Sequence, residues 1–206
     1  MSDLQCPARL FVARHGRASY AVPDVMTDGG GWLTCHGREQ ARDLADRLRP
    51  ERIAGVYTSH LERAIQTGAE VATALRVTSH VLAGVQELAS GDLEGVSLAA
   101  VERTGCFQRW LDGDLTARWP GGESGAELVA RMGAALGEVA DQHRGEAVVV
   151  ISHGGVMSVA LPHLVSNPGP LRSAPPPLPN CAVVSLEGDA DGWRLVAPWP
   201  GRPHPG

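Results

Sequence analysis

Along the chain, short unbroken apolar runs alternate with stretches in which apolar residues return every three or four positions, the pattern of strands alternating with amphipathic helices. Leu10, Phe11, Val12 and Ala13 form the first run, which predicts a buried strand, and polarity flips abruptly at Arg14-His15-Gly16. Thr34 stands in N-cap position ahead of Ala41, Leu44, Ala45 and Leu48, which share one helical face until Pro50 ends the element. Arg38, Arg42 and Arg47 fall off that face and are expected to be solvated. Residues 55–58 predict a second strand running into a helix over 61–75, with Ser59 and Glu62 at capping-box spacing. A third strand is expected within 77–83, and Ser97 is placed to cap a short helix followed by one with Phe107, Trp110 and Leu111 on its apolar edge.

The second half repeats the pattern more strongly. Ser124 and Glu127 form another capping-box pair, opening a helix with Leu128, Met132, Ala135, Leu136 and Val139 on one face. After Gly145, residues 147–151 are aliphatic throughout, which suits a central parallel strand covered on both faces. That strand ends in Ser152-His153-Gly154-Gly155, followed by an apolar helical stretch to about residue 165. Residues 20–31 and 86–95 read as loops from their glycines and acids, and 167–179 are too rich in proline for a regular element. A closing hairpin is expected over 181–186 and 193–196, turning at Gly188-Asp189, with a disordered tail over 198–206. The alternation predicts an α/β fold with a mostly parallel central sheet, and residues 1–197 are expected to be one domain.

Composition narrows the function classes. The net charge of −5 and the lack of a Lys/Arg block speak against a nucleic-acid-coating surface, so any anion must be met by a local basic pocket. No apolar run approaches membrane-spanning length, and no secretory leader pattern opens the chain, so the expectation is a cytoplasmic protein without membrane association. Cys6, Cys35, Cys106 and Cys181 are scattered without a Cys-x-x-Cys pair, as reduced thiols would be, and no metal-ligand spacing is present.

The candidate chemistry lies at the strand ends. Arg14-His15-Gly16 follows the first strand and His153-Gly154 follows the last aliphatic one, so two histidines carried on strand ends can converge on one site. Ligands of open α/β sheets bind outside the carboxyl ends of the strands. A neutral imidazole fixed in one tautomer can attack phosphorus, and a guanidinium can grip phosphate oxygens. Arg63, in the first turn of its helix, opposes the macrodipole; it reads either as an anion ligand or as an exposed surface residue. Acids in a loop such as 86–95 are usually solvated, and His36, His60, His80, His143, His163 and His204 are expected at the surface.

Taken together, these segments resemble the histidine phosphatase superfamily, which includes phosphoglycerate mutases and many small phosphomonoesterases. Arg14-His15-Gly16 matches its hallmark, and Leu33-Thr34 with Gly37 and Gln40-Ala41 resembles its first-helix pattern. The run from Ser59 through Thr67 is similar to its second phosphate-binding segment, and Glu87 with Gly91-Asp92-Leu93-Glu94-Gly95 to its acid loop. Pro120-Gly121-Gly122-Glu123-Ser124 resembles the loop before its long helix, and Ser152-His153-Gly154-Gly155 its second histidine. The resemblance implies a three-layer α/β/α, phosphoglycerate mutase-like fold and a phosphohistidine formed on His15. Arg14, Arg63 and His153 would complete the anion pocket, Ser19 and Gly154 would contact the phosphoryl group, and Glu87 would protonate the departing oxygen.

The implied reaction needs no metal and no cofactor. It also implies a protonated His153, a His15 tautomer held by a backbone carbonyl near Gly16, and a desolvated Glu87 of raised pKa. Ala18 and Ala21 stand where relatives carry polar residues, leaving Ser19 to compensate, and Leu93 replaces an aromatic, which predicts a looser acid loop. The phosphatase branch is favoured over a mutase because residues 95–120 are short and hold only Arg103, Arg109 and Arg118 as cations. The alternatives are mutase-type transfer and a silent binder of phosphorylated ligands. The expected partner is a small phosphorylated substrate, admitted by loops 20–31 and 95–120; oligomeric state is left open.

Overall fold

The computed structural model describes residues 6–172, 178–189 and 192–196. Six strands form one sheet in the order β5-β4-β6-β1-β7-β8. The strands β1 (Ala8–Arg14), β4 (Ile53–Thr58), β5 (Ser79–Val81) and β6 (Ala147–Ser152) run parallel, while β7 (Val183–Asp189) and β8 (Gly192–Leu195) complete the edge antiparallel. A separate two-stranded ribbon pairs β2 (Ala18–Ser19) with β3 (Trp32–Leu33).

Residues of β1 and β6 alternate between two cores because successive side chains leave a strand on opposite faces. Leu10, Val12, Val148 and Val150 pack with α5 (Gly125–Gln142) and α6 (Gly154–Leu164), whereas Phe11, Ala13, Val149 and Ile151 pack with α1 (Cys35–Leu48) and α2 (Glu62–Leu75). The result is the expected three-layer α/β/α arrangement. Short helices α3 (Leu98–Arg103) and α4 (Cys106–Leu111) lie between the acid loop and α5. Both predicted helix starts at Thr34 and Ser124 hold: Thr34 accepts the Gly37 N–H at 3.0 Å, and Ser124 and Glu127 cap each other reciprocally.

Local readings fail where a tertiary partner competes. The Ser59–Glu62 capping box does not form; Leu61 is the N-cap of α2 and no side chain caps it. Ser97 occupies the N-cap of α3 without a side-chain bond. The third strand shrinks to β5, three residues on the sheet edge. Within 167–179 the chain does form a regular element, the one-turn helix α7 (Gly169–Arg172). Gly188 and Asp189 belong to β7 and pair with Trp193 and Gly192 of β8, so they are strand residues and not the expected turn. The tail over 198–206 lies outside the described residues.

Arg38 and Arg42 both pair with Glu70, and Arg47 donates to the Cys181 carbonyl at 2.8 Å, so none is simply solvated. His143 is half-buried, contacting the Tyr57 hydroxyl at 2.7 Å and Glu146 at 2.6 Å, while His36, His60 and His80 are exposed. Leu93 packs half-buried on the core instead of leaving the acid loop loose. Cys6 and Cys35 are exposed and Cys106 and Cys181 buried, all four as free thiols. Among the described residues no helix is long and apolar enough to cross a membrane.

Candidate active site

The parallel register brings the two histidines together. Arg14 on β1 lies opposite Ser152 on β6, so His15 and His153 leave adjacent strands at the same level. Their ring centroids are 5.1 Å apart at 57°, and both side chains are buried. The His15 amide donates to the Ser152 carbonyl at 3.0 Å, which fixes one histidine's backbone against the strand that carries the other.

His15 Nδ1 lies 2.7 Å from the Gly16 carbonyl. A carbonyl only accepts, so Nδ1 carries the hydrogen and Nε2 keeps the free lone pair. Burial, followed by the positive charge of Arg63, pushes the His15 pKa down to about 3, against the weaker upward pull of the Gly16 bond. The imidazole is neutral across the physiological range. Asn180 donates to the His15 carbonyl at 2.9 Å and the Cys181 amide to the Arg14 carbonyl at 3.0 Å, which locks the turn from outside the sheet.

Burial first, then coupling to the adjacent His15 ring and the charges of Arg63 and Arg14, hold His153 well below the ordinary imidazole range. The chain's own groups therefore keep His153 neutral, and the expected imidazolium depends on negative charge brought by a substrate. Its Nε2 contacts Ser59 Oγ at 2.8 Å, and that oxygen also accepts the Leu61 N–H at 3.1 Å. The hydroxyl expected to cap α2 instead supports the second histidine.

Arg63, at the start of α2, is 2 % exposed, which settles its open reading against a surface residue. It donates to the Gly30 carbonyl at 2.9 Å and lies 5.6 Å from the Tyr20 ring centroid, so the glycine-rich loop holds its outer side. Thr67 donates to the Arg63 carbonyl at 2.7 Å and accepts the Gly16 N–H at 3.0 Å, tying the first turn of α2 to the turn behind His15. Arg14 is half-buried and donates to the Leu178 carbonyl. Burial lowers its guanidinium pKa while Glu87 opposes the shift, and an arginine in such a position keeps its charge.

Arg14 Nε, Arg63 Nε and His153 Nδ1 are buried and have no partner among the described residues. Native proteins rarely leave buried donors unmatched, because each costs about 1–3 kcal/mol. Together they form a set that a tetrahedral oxyanion can satisfy.

Glu87 stands at the N-terminus of α6. Its carboxylate accepts the N–H groups of Gly155 at 3.1 Å, Val156 at 2.8 Å and Leu88 at 3.1 Å, so three backbone donors hold it in place. A Cβ on Gly155 would lie 2.7 Å from Glu87 Oε1, and one on Gly154 3.1 Å from Arg14 Nε. The glycine pair after His153 thus lets both charged groups approach the helix end. Gly154 and Ser19 line the same cleft, Ser19 from the exposed ribbon strand β2.

Sequence reasoning missed Arg131 on α5. Its guanidinium pairs with both oxygens of Glu123 and donates to the carbonyls of Gly84, Gln86 and Glu87, while Glu123 accepts the Ala89 N–H. The pair braces the segment that carries Glu87. Neither residue has a local signal, since each reads as an ordinary helix or loop charge. Among the described residues no group of three or more His, Cys, Asp or Glu side chains is placed to hold a metal ion.

A cleft of about 1040 Å³ opens over Arg14, Arg63, Glu87, Gly154 and Gly155 and extends outward between the loop from β2 and helix α3. A sheet of this topology, with buried cationic and imidazole groups at the carboxyl ends of adjacent parallel strands, defines the class of an α/β protein whose ligand site lies outside those strand ends. The pattern of the histidine phosphatase superfamily (branch 1) matches residues 10–198, and the chain belongs to that family.

Phosphoglycerate mutase-like protein 4 of Arabidopsis thaliana is 34% identical over 157 residues, covering 73% of this chain and 68% of the plant protein. The solved structure of mycobacterial hydrolase 1 superposes with a TM-score of 0.78 at 24% identity, over 96% of this chain and all of that one. Mycobacterial glucosyl-3-phosphoglycerate phosphatase, solved with VO3, superposes with a TM-score of 0.75 at 25% identity, covering 92% of this chain and 97% of that one.

Proposed function

We propose that this chain is a phosphomonoesterase that needs no metal and acts on a small phosphorylated substrate through a phosphohistidine. The observation that carries this reading is the neutral His15, with Nε2 free, set beside buried donors that lack an acceptor among the described residues. In the first step Nε2 attacks phosphorus and the bond to the ester oxygen breaks. The leaving oxygen takes the electron pair and a proton from Glu87. In the second step water attacks the phosphohistidine, Glu87 takes its proton, and the P–N electron pair returns to Nε2.

Charge spreads over the equatorial oxygens in both transition states, and Arg14, Arg63 and His153 are placed to meet it. In the productive tautomer the Ser59 hydroxyl donates to His153 Nε2 and leaves Nδ1–H for the phosphoryl group; protonation follows once a dianion arrives. Hydrolysis is favoured over mutase-type transfer because a mutase must hold a carboxylate-bearing acid through two transfers, and the outer cleft offers carboxylates where that acid would need cations.

The test is to quench a reaction with phosphorus-labelled p-nitrophenyl phosphate, run with a metal chelator present, and look for label on the chain. An acid-labile, base-stable adduct, absent in His15→Ala, is expected. Steady turnover without any adduct on rapid quenching, or turnover retained by His15→Ala, would overturn the phosphohistidine route. Absence of turnover with tight phosphate binding would leave the binder.

A further inference from the structure

The cleft has an inner end that the chemistry uses and an outer part that it does not. Beyond the anion centre its wall is built by Met26 from the loop after β2, by Leu98 and Val101 of α3, by Phe107 of α4 and by Trp119. Backbone bonds join the two sides into one wall: the Met26 amide donates to the Val96 carbonyl at 2.8 Å and the Leu98 amide to the Asp24 carbonyl at 2.9 Å. At the rim, Tyr20, Val22 and Leu98 are 38%, 59% and 46% exposed, so large apolar side chains left in solvent gather on this cleft. Clustered exposed apolar surface marks a place where something binds.

The charges on that outer part are negative. Asp24 and Glu102 line it, both are exposed, and neither carboxylate has a hydrogen-bond or ion-pair partner among the described residues. Arg17 also lines the cleft, but from the segment between His15 and β2, not from the loop after β2 or from α3, which carry Asp24 and Glu102. A substrate with its phosphate between Arg14 and Arg63 directs its alcohol portion outward, past apolar walls toward two carboxylates.

We infer that the outer cleft selects phosphomonoesters whose alcohol portion is bulky, apolar and free of negative charge, and rejects those carrying a carboxylate. The inference rests on the phosphomonoesterase reading and deepens it. Apolar walls reward each ring or methylene that they cover, and like charges across a cleft penalise an anionic group. The mycobacterial phosphatase of similar fold is named for glucosyl-3-phosphoglycerate, an acid; the walls here point to a different substrate.

The experiment uses phenyl, 2-naphthyl and 3-carboxyphenyl phosphate, whose phenols are of similar acidity, so that differences report the cleft and not the leaving group. The expected order of kcat/KM is 2-naphthyl above phenyl above 3-carboxyphenyl, each step about tenfold. Leu98→Ser, at an exposed position, should shrink the naphthyl advantage several-fold. Glu102→Lys should raise 3-carboxyphenyl phosphate relative to phenyl phosphate by about tenfold.

Hydrolysis of phenyl phosphate with 3-carboxyphenyl phosphate equal or better, or with no naphthyl advantage, would overturn the inference and leave the phosphatase reading intact. If none of the three turns over, the phosphatase reading falls. Their dissociation constants, measured by calorimetry on the unmodified chain, then decide the inference by the same order.

Discussion

The inner and outer parts of one cleft are built on different principles. The inner part stands on the carboxyl ends of β1, β4 and β6, where Ser59, His15 and His153 leave neighbouring strands in register. His15, Ser59, Arg63 and His153 are buried there, and several groups are held from behind by bonds that involve no ligand, such as Gly16 to His15, Gly30 to Arg63 and Ser59 to His153. The outer part stands on loop residues and the short helices α3 and α4, and its walls are apolar and partly exposed. A rigid sheet edge supplies the geometry that phosphoryl transfer demands, while loops can change their lining without disturbing it. Substitutions in the inner part should therefore lower turnover of every ester alike, whereas substitutions in the outer part should change the ratio between esters.

The largest effect expected is that of His15→Ala, which should lower kcat/KM by about 10⁴-fold or more on aryl and alkyl phosphates equally, because no bond to phosphorus can form. A selective loss on one ester class would break the division. Arg63→Ala should follow with about 10²–10³-fold, the scale for removing one donor from a developing oxyanion, again across all esters in steady-state assays. A near-normal rate would place Arg63 outside the transition state.

Glu87 and Arg131 lie where the two parts meet and sharpen the comparison. Glu87→Gln should cost alkyl phosphates about 10²-fold or more and p-nitrophenyl phosphate little, since a good leaving group needs no proton. Arg131→Ala should reproduce that dependence on the leaving group at smaller size, about tenfold, if its role is to hold the Glu87 segment, with partial rescue in Arg131→Lys. Equal losses on both ester types would reduce the Arg131–Glu123 pair to general stability.

The smallest effect is on stability. The folded pKa of His15 is about 3 against an ordinary 6.5, so the unfolded chain binds a proton that the folded chain does not across that window. Stability is therefore intact above pH 6.5 and falls as pH drops toward 3, by at most about 1.4 kcal/mol per pH unit for this group. His153 acts in the same direction. Urea unfolding at stepped pH should show a shallower decline in His15→Asn than in the unmodified chain; identical slopes would remove the buried neutral histidine from the account.

Much of the inner part was legible along the chain. A run of apolar residues that stops at Arg14-His15-Gly16, and another that stops at His153, announces strand ends with chemistry on them, because burial on both faces leaves no other use for such a run. The helix starts at Thr34 and Ser124 were equally readable, as their partners lie three residues away. Ser59 shows the limit of local reasoning. Its spacing to Glu62 satisfied the capping pattern, yet the hydroxyl turns to His153, ninety-four positions away in sequence.

The sequence alone determined the order of the long strands and helices, the residues that end the central strands and hence the kind of chemistry on offer, since periodicity and polarity act over a few neighbouring positions. Only the tertiary structure decided that Arg63 is buried against Gly30, that Arg131 reaches three carbonyls of the acid segment, that Glu87 is held by the amides of α6, and that the outer walls are apolar and acidic. Those relations join residues far apart in the chain, and they exist because the parallel register β4-β6-β1 sets the strand ends side by side and leaves buried donors and open walls that no local pattern encodes.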